Sequence, residues 1–257
     1  MLANVYTKAI LDRWKGIAIA AFGMAVMLWF AMAMYRGIDI SFFTEMPEAF
    51  RAIMNIGADF DATGLAYGAM YSSYGALTLA SMALSMGSAS IAGEERDGTL
   101  GLLLGNPDSR TRVLLSKAAA LVTLIGLGSV VLWVAGILVP EVINADVSSM
   151  HIGALLVHMF VISVFFGFMS LAIGAWTGNR GRASGATAGL LVFSFIIVGI
   201  LPLVEGWESV AKIFPWYYYD AGQPIISGVD WGHLAVLFAG IAALGVIAVV
   251  GVNRRDL

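Results

Sequence analysis

The sequence predicts an all-helical protein that crosses a membrane six times, with both chain ends in the cytoplasm. Three observations predict it. The first is composition: 60% of the 257 residues are hydrophobic and 12% are charged, about half the charged fraction of an ordinary soluble domain. The second is the presence of six apolar runs, each long enough to span a bilayer core. The third is where the positive charge falls. With six spans, Lys8, Arg13, Lys15, Arg96, Arg110, Arg112, Lys117, Arg180, Arg182, Arg254 and Arg255 share one side. Only Arg36, Arg51 and Lys212 fall on the other. Basic residues stay in the cytoplasm, so that crowded side is cytoplasmic.

The whole chain, 1–257, reads as a single transmembrane domain. Residues 1–15 hold an amphipathic stretch. Val5, Tyr6, Ala9, Ile10 and Trp14 fall on one helical face, and Lys8, Asp12 and Arg13 on the other. That pattern predicts an elbow helix lying in the membrane interface. Residues 16–34 form the first span. The triplet Ala31-Met32-Ala33 imitates a signal-peptidase site, but the apolar run before it is too long for a signal peptide. Residues 36–61 are polar and acidic, with an apolar stripe through Ala49, Phe50, Ile53, Met54 and Gly57 that predicts a short surface helix. Residues 64–92 form an uncharged second span, longer than one crossing requires, so it tilts or protrudes. Residues 93–112 are the most charged interruption. Spans three to six then cover 118–139, 152–177, 183–204 and 234–252. Pro140 opens a short acidic loop, 178–182 is a tight basic turn, and 205–231 is a longer loop crowded with Trp and Tyr.

The charged interruption has helix punctuation. Asp97 or Thr99 caps a helix through Leu100 to Leu104. Gly105 suits a left-handed helix end. Asn106-Pro107 restarts the chain as N-cap and first helical residue. Here the sequence resembles a family. Glu95-Arg96, Gly98-Thr99-Leu100, Leu102-Leu103-Leu104, Pro107, Ser109-Arg110 and Lys117 are similar to the cytoplasmic loop of ABC-2 type permeases, the membrane subunits of a class of ATP-driven exporters. One departure is Gly101, where many relatives carry a glutamate. The resemblance implies a coupling helix between spans two and three, seated on a separate ATP-binding subunit through Glu94, Glu95, Arg96, Asp97, Gly98, Thr99 and Leu100. It implies two such subunits, which bind the ATP and Mg, and a second permease, identical or homologous. It also implies outward transport across the plasma (inner) membrane, with membrane lipid around the chain. The nearly uncharged spans favour an amphipathic or apolar cargo.

Several chemistries are excluded. A phosphate-binding loop needs lysine after glycine, and none of Lys8, Lys15, Lys117 and Lys212 follows one. The chain is therefore expected to have no ATPase site, no catalytic residues and no cofactor of its own. There is no cysteine, so disulfides and thiolate metal sites are out, and no metal site is expected. Glu94-Glu95 begins an EExxR protease motif, but position 98 is glycine. A net charge of −3 argues against nucleic acid.

The remaining candidates lie in the spans. Gly64, Gly68, Ser72, Ala76 and Ala80 recur every fourth residue in the second span, as do Gly181, Gly185 and Gly189 at the fifth. Small stripes let helices approach closely. Packing within the subunit is the expectation; lining a translocation path is the alternative, with Ser72, Ser73, Thr78, Ser81 and Ser85 as its polar wall. His158 is the one ionisable side chain well inside a span. Such residues face the bundle or a cavity. A hydrogen bond to a neighbouring helix is expected; contact with substrate or proton relay is the alternative. The aromatic loop is expected to anchor in the headgroup layer, with an exit gate as the other reading. Two rival functions stay open: an ion-coupled secondary transporter, and a non-transporting scaffold for an assembly or sensor complex.

Overall fold

The computed structural model describes residues 2–35, 45–47, 50–51, 62–96, 98, 110–145 and 150–255. Among these the regular structure is helical, without a strand. Five helices are long and apolar enough to cross a membrane: α1 (Leu2–Tyr35, apolar over Val5–Met34), and the four that follow residue 109. Between α1 and those four lies a composite helix. It comprises α2 (Ala62–Ala66), a π-helical stretch (Tyr67–Gly75) and α3 (Ala76–Ser90). A short α4 (Ala92–Arg96) follows. The remaining long helices are α5 (Arg110–Val142), α6 (Ile152–Thr177), α7 (Arg180–Ile200) and, after two short helices α8 (Tyr217–Asp220) and α9 (Pro224–Ser227), α10 (Trp231–Arg254). The short helix expected around Ala49–Gly57 and the one expected through Leu100–Leu104 lie outside the described residues, apart from Phe50 and Arg51.

Two expected boundaries move, each for a physical reason. The elbow helix and first span are one unbroken helix. Only Gly16 interrupts good helix formers there, and one interior glycine costs about 1 kcal/mol. Packing offsets it: Tyr6 shares a 3.0 Å hydrogen bond with Thr123, and Ile10 and Ile17 pack with Leu121, Leu124 and Ile125. The third span does not end before Pro140 either; α5 runs through it to Val142. Proline removes the N–H that would bond the carbonyl of Gly136, four residues back. The Tyr67 hydroxyl bonds that same carbonyl. One turn earlier, Tyr71 donates to the Leu132 carbonyl at 3.1 Å. Gly136 makes this approach possible, because a Cβ there would lie 3.2 Å from the Tyr71 ring.

The core gathers around α6. Of its most apolar window 67% is buried, against 33% or less for the other four long helices, so those four turn most of their apolar surface outward, as lipid-facing helices do. The tightest seam joins α3 to α6. A Cβ on Gly87 would run into the Gly167 carbonyl and lie 2.9 Å from the Leu171 nitrogen. Close backbone approach of this kind holds membrane helices together without a hydrophobic drive. Two ends can now be distinguished. The basic end gathers α4, the first turn of α5, the α6–α7 turn and the last turn of α10. The aromatic end holds 201–230, where Trp216 and Tyr219 wedge into the bundle core.

Candidate functional site

The basic end is built from the short α4 outward. Ile91 and Ala92 are buried at its start and pin it to the bundle. Glu94 then meets the Lys117 ammonium at 2.6 Å. The same Nζ donates to the Ser90 carbonyl at 2.7 Å. One lysine thus joins the end of α3, α4 and α5. The lysine is 10% exposed and the glutamate 21%. Little water competes there, so removing one partner strands a largely desolvated charge. Lys8 and Asp12 of α1 lie close enough to act on the lysine electrostatically.

The expected partner-contact residues divide. Glu94 is used inside the subunit, as the anchor of α4. Glu95 and Arg96 complete α4. Gly98 is exposed with φ +71, with open space around it. Only glycine takes that conformation without cost. Asp97, Thr99 and Leu100 lie outside the described residues.

The expected path residues divide as well. Gly64, Gly68 and Ser72 are buried among the helices. The Ser72 carbonyl accepts the Tyr219 hydroxyl at 2.7 Å. Gly185 and Gly189 face the opposite way: both are exposed on α7, and among the described residues nothing lies within 4 Å of where a Cβ would stand. His158 is fully buried, and its Nε2 accepts the Asp230 backbone N–H at 3.1 Å. An accepting Nε2 carries no proton, so the ring is held as the Nδ1–H tautomer. Its partner is the N-cap of α10, where Asp230 also accepts from the His233 N–H. The His233 N–H, with that of Gly232 beside it, holds the Asp230 carboxyl below its ordinary range.

Sequence reasoning missed which polar residues of the second span point outward. Ser72 and Ser73 are buried, whereas Tyr74 and Ser81 are exposed. Exposure depends on which neighbours α3 acquires, and no local pattern carries that. Among the described residues no three His, Asp or Glu side chains come together as a metal site. A groove of about 480 Å³ between α5 and α6, lined by Ser129, Trp133, Leu156, Phe160 and Val229, is almost wholly apolar.

The family model described as "ABC-2 family transporter protein" matches residues 3–212. The chain belongs to the ABC-2 family. One curated relative is the "Probable ABC transporter permease protein NosY" of Pseudomonas aeruginosa, 33% identical over 146 residues. That match covers 52% of this chain and 52% of the relative, so the chain spans about half the length of the curated protein it matches. As an ABC-2 protein with several apolar helices, the chain is an integral membrane protein.

Proposed function

We propose that the chain is the six-span permease of an ABC exporter and that α4, with the loop after it, is where ATP-binding subunits push. The composite helix from Ala62 to Ser90 is the sixth crossing, uncharged throughout and needing its π-helical stretch to pack Tyr67 and Tyr71 on α5. Both ends of the chain and α4 lie in the cytoplasm of the inner membrane, on the charge bias alone. Two ATP-binding subunits carry the ATP and Mg; this chain carries no cofactor and no catalytic group.

The observation that carries the reading is the Glu94–Lys117 pair. It fixes α4 rigidly to both flanking spans, which is what a lever needs. Glu95 and Arg96 meet charges on the partner, and Gly98 admits its close approach. A second permease, identical or homologous, covers the Gly185–Gly189 face of α7. Tyr74 and Ser81 then border a path of mild polarity, suited to outward movement of an amphipathic or apolar substrate. The α5–α6 groove suits a lipid tail. The bond His158 makes to the α10 cap gives the ring a structural use that the ion-coupled reading does not need.

The test is purification of the tagged chain from its own membranes in mild detergent, with mass spectrometry of what accompanies it. An ATP-binding subunit at close to one copy per chain is expected, and it should be lost from the Glu95→Ala/Arg96→Ala variant. A chain that purifies alone under several detergents, or keeps its partner in that variant, contradicts the reading. A Gly98→Val variant should keep the ATP-binding subunit but hydrolyse ATP without moving substrate, because valine resists φ +71.

A further inference from the structure

The last turn of α10 is bonded to two distant parts of the chain at once. Arg110, the first residue of α5 and the first described one after the loop, donates from its guanidinium to the Arg255 carbonyl. Beside it, the Asn253 amide donates to the Thr111 hydroxyl at 3.0 Å. The Arg255 side chain lies on Gly178, which ends α6 with φ +60 and caps the Gly174 carbonyl at 2.9 Å. Any Cβ at 178 would run into that guanidinium. One turn back on α6, the Trp176 indole donates to the Ile247 carbonyl at 2.8 Å. The Arg254 guanidinium stands 5.7 Å above the Trp176 ring, within cation–π range. Gly251 lets α10 reach the indole, since a Cβ there would be 2.5 Å from it.

α7 meets this end of the bundle by packing: its buried Ala183 lies over Gly174 of α6, as Ala92 of α4 does. Its first turn is capped by its own neighbour, Asn179, which accepts the Arg182 N–H at 2.9 Å. The chain reaches it through the left-handed Gly178 and the extended Asn179.

We propose that Asn253, Arg254 and Arg255 are positioning residues for energy coupling. They clasp the first turn of α5 to the last turn of α6, so that a push on the loop before Arg110 moves α5, α6 and α10 as one body. α7 follows that body through the Gly178–Asn179 joint and its packing on α6. Without the clasp, the push would still pass from α4 to α3 and α5 but would reach α10 less completely. The inference rests on the permease reading above, and it adds a second point of control that the loop itself does not contain.

The experiment uses the full chain assembled with its ATP-binding subunits in lipid nanodiscs. The chain has no cysteine, so an environment-sensitive fluorophore can be placed uniquely through Ser227→Cys, at an exposed residue of α9 on the aromatic end. Three quantities are read: subunit ratio, ATP hydrolysis, and the fluorescence change on adding ATP. In the Asn253→Ala/Arg255→Ala variant, subunit ratio and hydrolysis should hold while the fluorescence change falls at least ~3-fold, within the range by which positions between coupled sites alter coupling. The swap Thr111→Asn/Asn253→Thr, which rebuilds the side-chain bond in reverse, should retain the signal. Should the double-alanine chain fail to assemble, Trp176→Phe keeps an aromatic face, loses the indole N–H together with the five-membered ring that packs on Gly251, and should still lower the signal relative to hydrolysis. An undiminished signal in either broken variant overturns the clasp. An unaltered chain that brings no ATP-binding subunit, or gives no ATP-driven signal, overturns the permease reading beneath it.

Discussion

The two ends of the molecule are tied by different chemistry. At the basic end, long charged side chains reach between backbones: Lys117 to Glu94 and Ser90, Arg110 to Arg255, Arg255 to Gly178. At the aromatic end, rigid rings are buried and held by few polar contacts. Trp216 stacks edge-on against Phe195 at 5.3 Å and Tyr219 at 4.9 Å. Its backbone N–H donates to the Ser194 hydroxyl at 3.0 Å. The exposed charges beside the shielded Glu94–Lys117 pair, such as Arg182 and Arg254, can exchange partners at small cost, so a charged partner can take hold of the basic end. Buried aromatic packing has no cheap substitute. The difference suits an end that is pushed and an end that must keep its shape while it moves.

That contrast predicts the largest loss at the aromatic end. Trp216→Ala should destabilise the region by about 4 kcal/mol, as for other buried tryptophans, and protease should then cut 201–230 in the folded, membrane-bound chain. Protection equal to the unaltered protein would show that the rings do not hold this end.

The next effect belongs to the basic end. Lys117→Ala should cost roughly 3 kcal/mol, because Glu94 is left with a poorly solvated charge. Lys117→Met/Glu94→Leu, which removes both charges, should recover most of it. A double variant as unstable as the single one, by thermal unfolding in detergent, would mean that the pair does not anchor α4.

The smallest effect is a pH response confined to the aromatic end. Burial pushes the Asp220 carboxyl up to about 7. The group is thus protonated when folded and ionised when unfolded across the interval from about pH 4, the ordinary carboxylate value, to about pH 7. Its contribution is complete below that interval, declines across it and is lost above about pH 7. Opening of this end, followed by hydrogen exchange, should increase over that range. Asp220→Asn should flatten the response, and an unchanged slope would assign it to another group.

The parts of this architecture written locally were legible. An apolar helix covers 152–177, the residues expected to form the fourth span, because Gly178 supplies the left-handed stop that a glycine after an apolar run signals. The parts decided across the chain were not. Pro140 reads as a stop until Tyr67, far away in sequence, supplies the hydrogen bond that proline cannot. The π-helical turns around those tyrosines have no mark in the sequence. At the candidate site, Glu94 was legible as important but not as an internal anchor, since its partner Lys117 lies beyond the intervening loop. The Arg255 contacts were equally invisible: a terminal basic cluster looks like topology charge until α6 is seen to end beneath it.

The central claim is that the basic end, and not the aromatic end, receives the ATP-binding subunit. A photoreactive phenylalanine derivative in place of Glu95 on α4, and separately in place of Trp207 on the aromatic end, tests it in intact membranes. The account predicts a covalent adduct with the ATP-binding subunit from position 95 and none from position 207. An adduct from 207, or none from 95 while the two proteins still purify together, would contradict it.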